Sequence, residues 1–355
     1  MTLPRKSGPI LVHTPEVAAA LPELAQLQAI LQQAPAGLRV HQLLELTCCG
    51  HRLPVPLIEF GSTSPSAPVV AYVGGVHGVE RIGTQVLIAF LHSLMARMPW
   101  DRALRALLSE IRVIFIPLLN PTGMWHRTRA NTHGVDLMRN APVQAEESPP
   151  LLLGGQRISR HLPWYRGQPQ RMEAEALALC NAVRQRLHRA PFSISLDCHS
   201  GFGKQDRIWF PYARTRRPID DLGAVYALRG LFRTAYPNHA FYRIEPQSHS
   251  YTTHGDLWDL LYDEARQHPT GGTFLPLTLE LGSWLWVRKN PSQLFSRLGI
   301  FNPVRPHRHR RILRQHLLWL EFLMHAAASW QDWLPREDRA ATARQDALAY
   351  WGYPE

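Results

Sequence analysis

Apolar and polar positions along the chain follow two patterns that take turns. Short, nearly unbroken apolar runs occur at 67–75 "APVVAYVGG", 111–119 "IRVIFIPLL", 192–198 "FSISLDC" and 273–282 "TFLPLTLELG". Runs of this length, rich in β-branched and aromatic residues and bounded by Gly or Pro, suit strands covered on both faces. "LRVHQLLELTCCGHRLPVPLIEFG", 38–61, reads as two strands about a turn at Gly50, and "DRIWFPYA", 206–213, as a further strand. Between them lie stretches of helical period: 80–98, 171–189, 218–236, 255–266 and a long final one at 309–330. The N-terminal "TPEVAAALPELAQLQAILQQA", 14–34, reads as helix, with Thr14 at the N-cap and Pro15 at the first helical position. Strands that alternate with helices predict an α/β fold: a mixed, mostly parallel central sheet with helices on both faces. Residues 141–170 are rich in Pro, Gly and charge and are expected as a long loop over a site.

In such a sheet, sites form beyond the carboxyl ends of the strands. His77, with Glu80 three residues on, follows one apolar run, and His199 closes another in "LDCHS". Each residue alone reads equally as a polar strand end or a helix-start carboxylate. Together they can form the His, Glu, His set of a catalytic zinc site, which leaves a fourth position to water. Asp197 falls on the same strand face as His199 and could orient its imidazole. Glu280 stands inside an apolar run, where an unpartnered carboxylate is costly, so it is either ion-paired or functional.

The chain has 355 residues, 45% hydrophobic and 19% charged, which suits a globular protein with a sizeable core. No run of eighteen apolar residues is present, so no membrane span is expected. The N-terminus lacks a signal-like apolar core, and the expectation is a cytoplasmic protein. Cys48, Cys49, Cys180 and Cys198 form no CxxC pattern and are expected to be reduced thiols. The net charge of +11 is partly gathered in "RPHRHRRILRQH", 305–316. That segment reads either as a solvated helix face or as a patch for an anionic polymer. It lacks interleaved aromatics, so a nucleic-acid partner is not expected.

The ordered segments "HGVE", "NPTG", "RANTHGVDLMRN", "LDCHS", "YTTHGDLWD" and "LTLELG" resemble the zinc metallocarboxypeptidases, the family of pancreatic carboxypeptidase A, and suggest a divergent, bacterial-like member. The likeness runs over roughly residues 37–330. It implies one zinc ion on His77, Glu80 and His199, with Glu280 as general base. It implies Arg129 at the oxyanion, Arg139 on the substrate's terminal carboxylate, Asp136 behind a zinc histidine and Tyr251 closing over the substrate. Arg127 and His126 flank Arg129 and compete for its role. Met138 stands where the family usually has Asn, which removes one donor to the substrate carboxylate. Trp258 falls where the family sets side-chain specificity and implies a small or unusual side chain; its other reading is helix packing. Tyr165 or Arg166 of the long loop could add a contact.

The implied organisation is a helical extension over 1–36, a catalytic domain over 37–333 and a C-terminal tail over 334–355. The implied substrate is a peptide, murein-derived peptides among the candidates, or an N-acyl amino acid if the scaffold serves as a deacylase or amidase. A non-catalytic protein that binds anionic polymers is the remaining reading. Oligomeric state is not legible.

Overall fold

A computed structural model describes residues 14–201, 203–269 and 271–354. The first part of the expected helical extension, residues 1–13, lies outside the described residues. The stretch expected as one N-terminal helix is two: α1 (Pro15–Ala20) and α2 (Pro22–Gln32). Thr14 does cap the first, accepting from Val17 N–H at 3.3 Å. Pro22 explains the break, because it has no N–H to continue the ladder and forces Leu21 out of helical geometry.

The hairpin strands are β1 (Arg39–Cys48) and β2 (His51–Gly61), followed by β3 (Val69–Gly74). Helices α3 (Arg81–Arg97) and α4 (Arg102–Glu110) precede β4 (Arg112–Ile116) and the short α5 (Pro121–His126). After a tight turn at Leu137–Arg139 and the long loop come α6 (Ala174–Arg186), β5 (Phe192–Gly201), β6 (Asp206–Phe210), α7 (Leu222–Ala235) and β7 (Tyr242–Pro246). The chain continues through α8 (Leu257–Arg266), β8 (Thr273–Gly282), α9 (Trp284–Val287), α10 (Pro306–Ala328), α11 (Trp330–Trp333) and α12 (Asp338–Trp351).

The eight strands form one sheet in the order β1-β2-β4-β3-β5-β8-β6-β7. The run β4-β3-β5-β8 is parallel, and the outer pairings are antiparallel except β6 with β7. Alternate residues of the central strands feed two cores. Val70, Tyr72, Ile194 and Leu196 pack with α3, α7 and α10 on one face. Val69, Ala71, Val73 and Ile114 pack with α6 and α8 on the other. This is the period of two that a strand buried on both faces requires. Tyr72 ties the sheet to α10 through its hydroxyl, which donates to Leu320 O at 2.6 Å.

The segment expected as a tail contains α12, which packs against α7. Ala347, Trp351 and Tyr353 are buried in the first core, and the Trp351 indole N–H donates to Ile244 O at 3.0 Å. The segment 305–316 forms the start of α10, with Arg305, Arg310, Arg311 and Arg314 exposed on its surface.

Candidate metal centre and substrate cleft

The sheet topology assembles the site at the carboxyl ends of its parallel strands. β3 ends at Gly74 and its loop delivers His77, while Glu80 occupies the N-cap position of α3. His199 lies near the end of β5, and the parallel register sets it opposite Glu280 of β8. His77 Nδ1 is 3.0 Å from Glu80 Oε1, and His199 Nδ1 is 3.2 Å from His77 Nδ1 and 3.1 Å from Glu80 Oε2. All three residues are buried.

The opposite ring nitrogens face carboxylates. His77 Nε2 is 3.0 Å from Asp136 Oδ1, and His199 Nε2 is 2.8 Å from Asp197 Oδ2. With both imidazoles neutral, as metal ligands are, that pairing would put the protons on the Nε2 atoms and leave both Nδ1 lone pairs facing the Glu80 carboxylate. Three acceptors converging in a buried space require positive charge between them. The electrostatics agree. Burial opposes charging of His199, yet Asp197 and Glu80 hold its pKa well above the ordinary value. Burial likewise opposes ionisation of Glu80, but His77, His199 and Arg129 hold it well below. Ligands around 2.0–2.1 Å from a tetrahedral zinc lie about 3.3–3.4 Å apart, close to the separations seen here. The residues therefore fit a zinc ion.

Arg129 closes one side of this group. Its Nε donates to Asp136 Oδ2 and its Nη1 to Glu80 Oε1, both at 2.8 Å. Asp136 is thus shared between His77, Arg129 and the Met138 N–H, which donates at 3.1 Å. Burial favours its neutral form, but Arg129 and His77 hold its carboxyl well below the usual range. Glu280 lies on the cleft floor, where Gly201 of β5 makes room for it: a Cβ at that position would meet Glu280 Oε1 at 2.2 Å. Burial, with the Glu80 charge second, pushes the Glu280 carboxyl up to about 8.

The cleft has a volume of about 650 Å³ and is lined by the three candidate ligands, Arg129, Met138, Arg139, Tyr251 and Glu280. Arg139 is buried, and its Nε has no partner among the described residues. Gly255 fixes the loop behind it. Gly255 has φ +73°, and a Cβ there would meet Arg139 O at 1.9 Å, so the preserved glycine spacing has a steric cause.

Trp258 is not where the resemblance implied. It does not line the cleft. It is buried in α8, beneath the metal centre, and its indole N–H donates to Asp197 Oδ2 at 3.0 Å. The reason is helical geometry: Leu257, Trp258 and Leu261 lie on the face of α8 that packs into the second core. The long loop reaches the cleft through Leu153 and Trp164 rather than Tyr165 or Arg166. Arg166 instead clamps the loop, with Nε donating to Arg139 O at 3.1 Å and Nη2 to Val143 O at 2.8 Å. Arg127 is the left-handed cap of α5, and His126 lies beside Cys48, so neither takes the place of Arg129.

A family model described as zinc carboxypeptidase matches residues 28–282, well over half of the chain. This chain belongs to the zinc carboxypeptidase family. Among curated relatives, carboxypeptidase D of Drosophila melanogaster is 34% identical over 93 residues, 24% of this chain and 7% of that protein. Carboxypeptidase E of Caenorhabditis elegans is 30% identical over 106 residues, 25% of this chain and 22% of that protein. The matched parts are thus small fractions of those relatives. The fold is shared with carboxypeptidase A from Helicoverpa armigera, with a TM-score of 0.63, 18% identity, and coverage of 85% of this chain and 71% of that one. Bovine thrombin-activatable fibrinolysis inhibitor is also similar, with a TM-score of 0.62, 17% identity, and coverage of 87% and 97%.

In this member of the family, the cleft also contains residues that carry no sequence signal. Trp209 is buried in the wall, and its indole N–H has no partner among the described residues. Asp256 lies near Arg139, its carboxyl pushed up by burial against the pull of Arg139. Lys204, Arg207 and Arg243 line the outer wall, with Glu245 between the two arginines. Isolated aromatic and charged residues of these kinds recur along the chain, and only folding selects the ones that meet the cleft.

Proposed function

We propose that this chain is a zinc-dependent metallocarboxypeptidase that removes the C-terminal residue of short peptides. The observation that carries the reading is Arg139, a buried guanidinium with an unused N–H, in one cleft with Glu280 and the converging His77, Glu80 and His199. When bound by those three residues, zinc supplies a Lewis acid and an activated water. Glu280 is the proton carrier, taking a proton on the water side and returning it to the leaving amine. In the metal-free site its carboxyl is held up to about 8 by burial, with Glu80 second. With positive charge added nearby, it ionises at lower pH and is ready as a base. Arg129, fixed by Asp136 and Glu80, offers its remaining N–H groups to the oxygen that gains charge.

Arg139 binds the substrate's terminal carboxylate, and Tyr251 covers it. Met138 contributes no donor, so carboxylate binding rests more heavily on Arg139 than it would with Asn at that position. The basic outer wall favours a small or acidic terminal side chain over a basic one. A cytoplasmic setting belongs to the same proposal.

The test is a metal assay paired with mass-spectrometric detection of residues released from a peptide library, on wild type and Glu280→Gln. N-acyl amino acids are run in parallel. C-terminal release that vanishes in the variant and on chelation supports the proposal. Turnover confined to N-acyl amino acids replaces it with a deacylase, and stoichiometric zinc without any turnover refutes it.

A further inference from the structure

We infer that Cys48, Cys49 and His126 form a second metal site, separate from the His77 centre and suited to a thiophilic divalent cation of the zinc class. The two cysteines are consecutive, and His126 lies 78 residues beyond Cys48. Cys48 ends β1, Cys49 begins its turn, and His126 ends α5. Successive residues of a strand point to opposite faces. Here the alternation is broken, because Cys49 adopts a left-handed conformation with φ 51°, uncommon for a residue other than glycine. Both thiols then lie on one side, their Sγ atoms 3.9 Å apart. Cys48 Sγ is 3.3 Å from His126 Nε2, and the three donor atoms all lie within 4.8 Å of one another.

These separations suit a tetrahedral ion. Zinc–sulfur bonds of about 2.3 Å and zinc–nitrogen bonds of about 2.0–2.1 Å place sulfur pairs about 3.8 Å and sulfur–nitrogen pairs about 3.5 Å apart. The donor set is soft, unlike the carboxylate-containing set at the His77 centre, and selects cations of the zinc and cadmium type over magnesium or calcium. Cys48 is buried, while Cys49 and His126 are exposed, so the ion would be anchored from inside with its fourth position open to solvent. The charge balance is simple. As each metal–sulfur bond forms, a thiol loses its proton to solvent, and the imidazole binds through neutral Nε2. Two protons leave for each divalent ion, and two thiolates neutralise it.

The inference does not depend on the peptidase reading, and sulfur makes it separable by experiment. The full chain, kept reduced, is titrated with cobalt(II) alone. Native mass spectrometry counts the ions, and absorption reads the sulfur-to-cobalt charge-transfer band, which the sulfur-free His77 centre cannot give. Two cobalt ions and the band are expected in wild type. Cys48→Ser and Cys49→Ser each lose the band and one ion, His126→Ala weakens binding of that ion, and His77→Ala loses one ion but keeps the band. Cys49 is exposed, so Cys49→Ser serves as the variant whose unfolding temperature stays at the wild-type value. Absence of the band in reduced wild type at saturating cobalt overturns the inference. Its persistence in Cys49→Ser does the same.

Discussion

Replacing Trp258 by Phe separates support of the metal centre from simple packing. The Trp258 indole N–H donates to Asp197 Oδ2 at 3.0 Å, the same oxygen that faces His199 Nε2 at 2.8 Å. Asp197 is fully buried, and its Oδ1 has no partner among the described residues. Phe keeps an aromatic ring in α8 but removes the indole donor. A hydrogen bond to a charged group contributes about 1.5–3 kcal/mol. In the metal-free protein the loss is softened, because His199 is held protonated and gives Asp197 a cationic neighbour. With metal bound, His199 is neutral and Asp197 depends more on Trp258. The loss therefore falls mainly on metal affinity, by about 10- to 100-fold. Competition with a chromophoric chelator measures that affinity, and thermal unfolding of the metal-free proteins measures packing. A packing defect alone would lower both states equally and leave affinity unchanged. Metal binding by Trp258→Phe within twofold of wild type would refute the argument.

Glu280→Gln should retain metal and lose roughly 10²- to 10⁴-fold in kcat/KM, measured by peptide hydrolysis on metal-assayed protein. The same variant carries a pH prediction. The folded pKa of Glu280 is raised from 4.5 to about 8, so the folded state holds a proton that the unfolded chain releases. Its contribution is fully present below pH 4.5 and is lost as pH rises toward 8, so metal-free wild type should lose stability relative to Glu280→Gln across that window. The full shift corresponds to about 5 kcal/mol, and partial solvent screening on the cleft floor reduces the expected difference to about 2 kcal/mol in denaturant titrations at the two ends. Met138→Asn, which adds a side-chain donor beside Arg139, should lower KM for peptides about tenfold with kcat little changed, read from initial rates. Gly201→Ala should displace the Glu280 carboxylate, whose Oε1 would lie 2.2 Å from the new Cβ, and abolish hydrolysis while metal content stays at wild-type level.

Much of the site was legible because its residues lie where local pattern changes. His77 and Glu80 follow an apolar run, His199 ends one and Glu280 interrupts one, and each of those runs forms a central strand. Near neighbours in sequence suffice to produce that signal, since strand and helix periods and the turn residues between them are local properties. The spacing of Tyr251 and Gly255 was likewise readable, although its cause, the approach of Gly255 to Arg139 O, was not.

What the tertiary structure decided depends on distant pairs. The register of β5 with β8 sets His199 opposite Glu280, and no local propensity specifies that alignment. The motif alone puts Trp258 at the specificity pocket, but the rotation of α8 over the sheet sends its indole to Asp197 instead of the cleft. Residues 334–355 are amphipathic only weakly, and α12 becomes a core element because α7 offers it a surface. His126 lies only three residues before Arg129, so local sequence alone makes it a rival for that role. The end of α5 carries it away, to the cysteines at the β1–β2 hairpin turn. Local sequence fixes which elements form and which chemistry they carry, whereas packing energy, shared among residues far apart in the chain, selects which of those side chains meet.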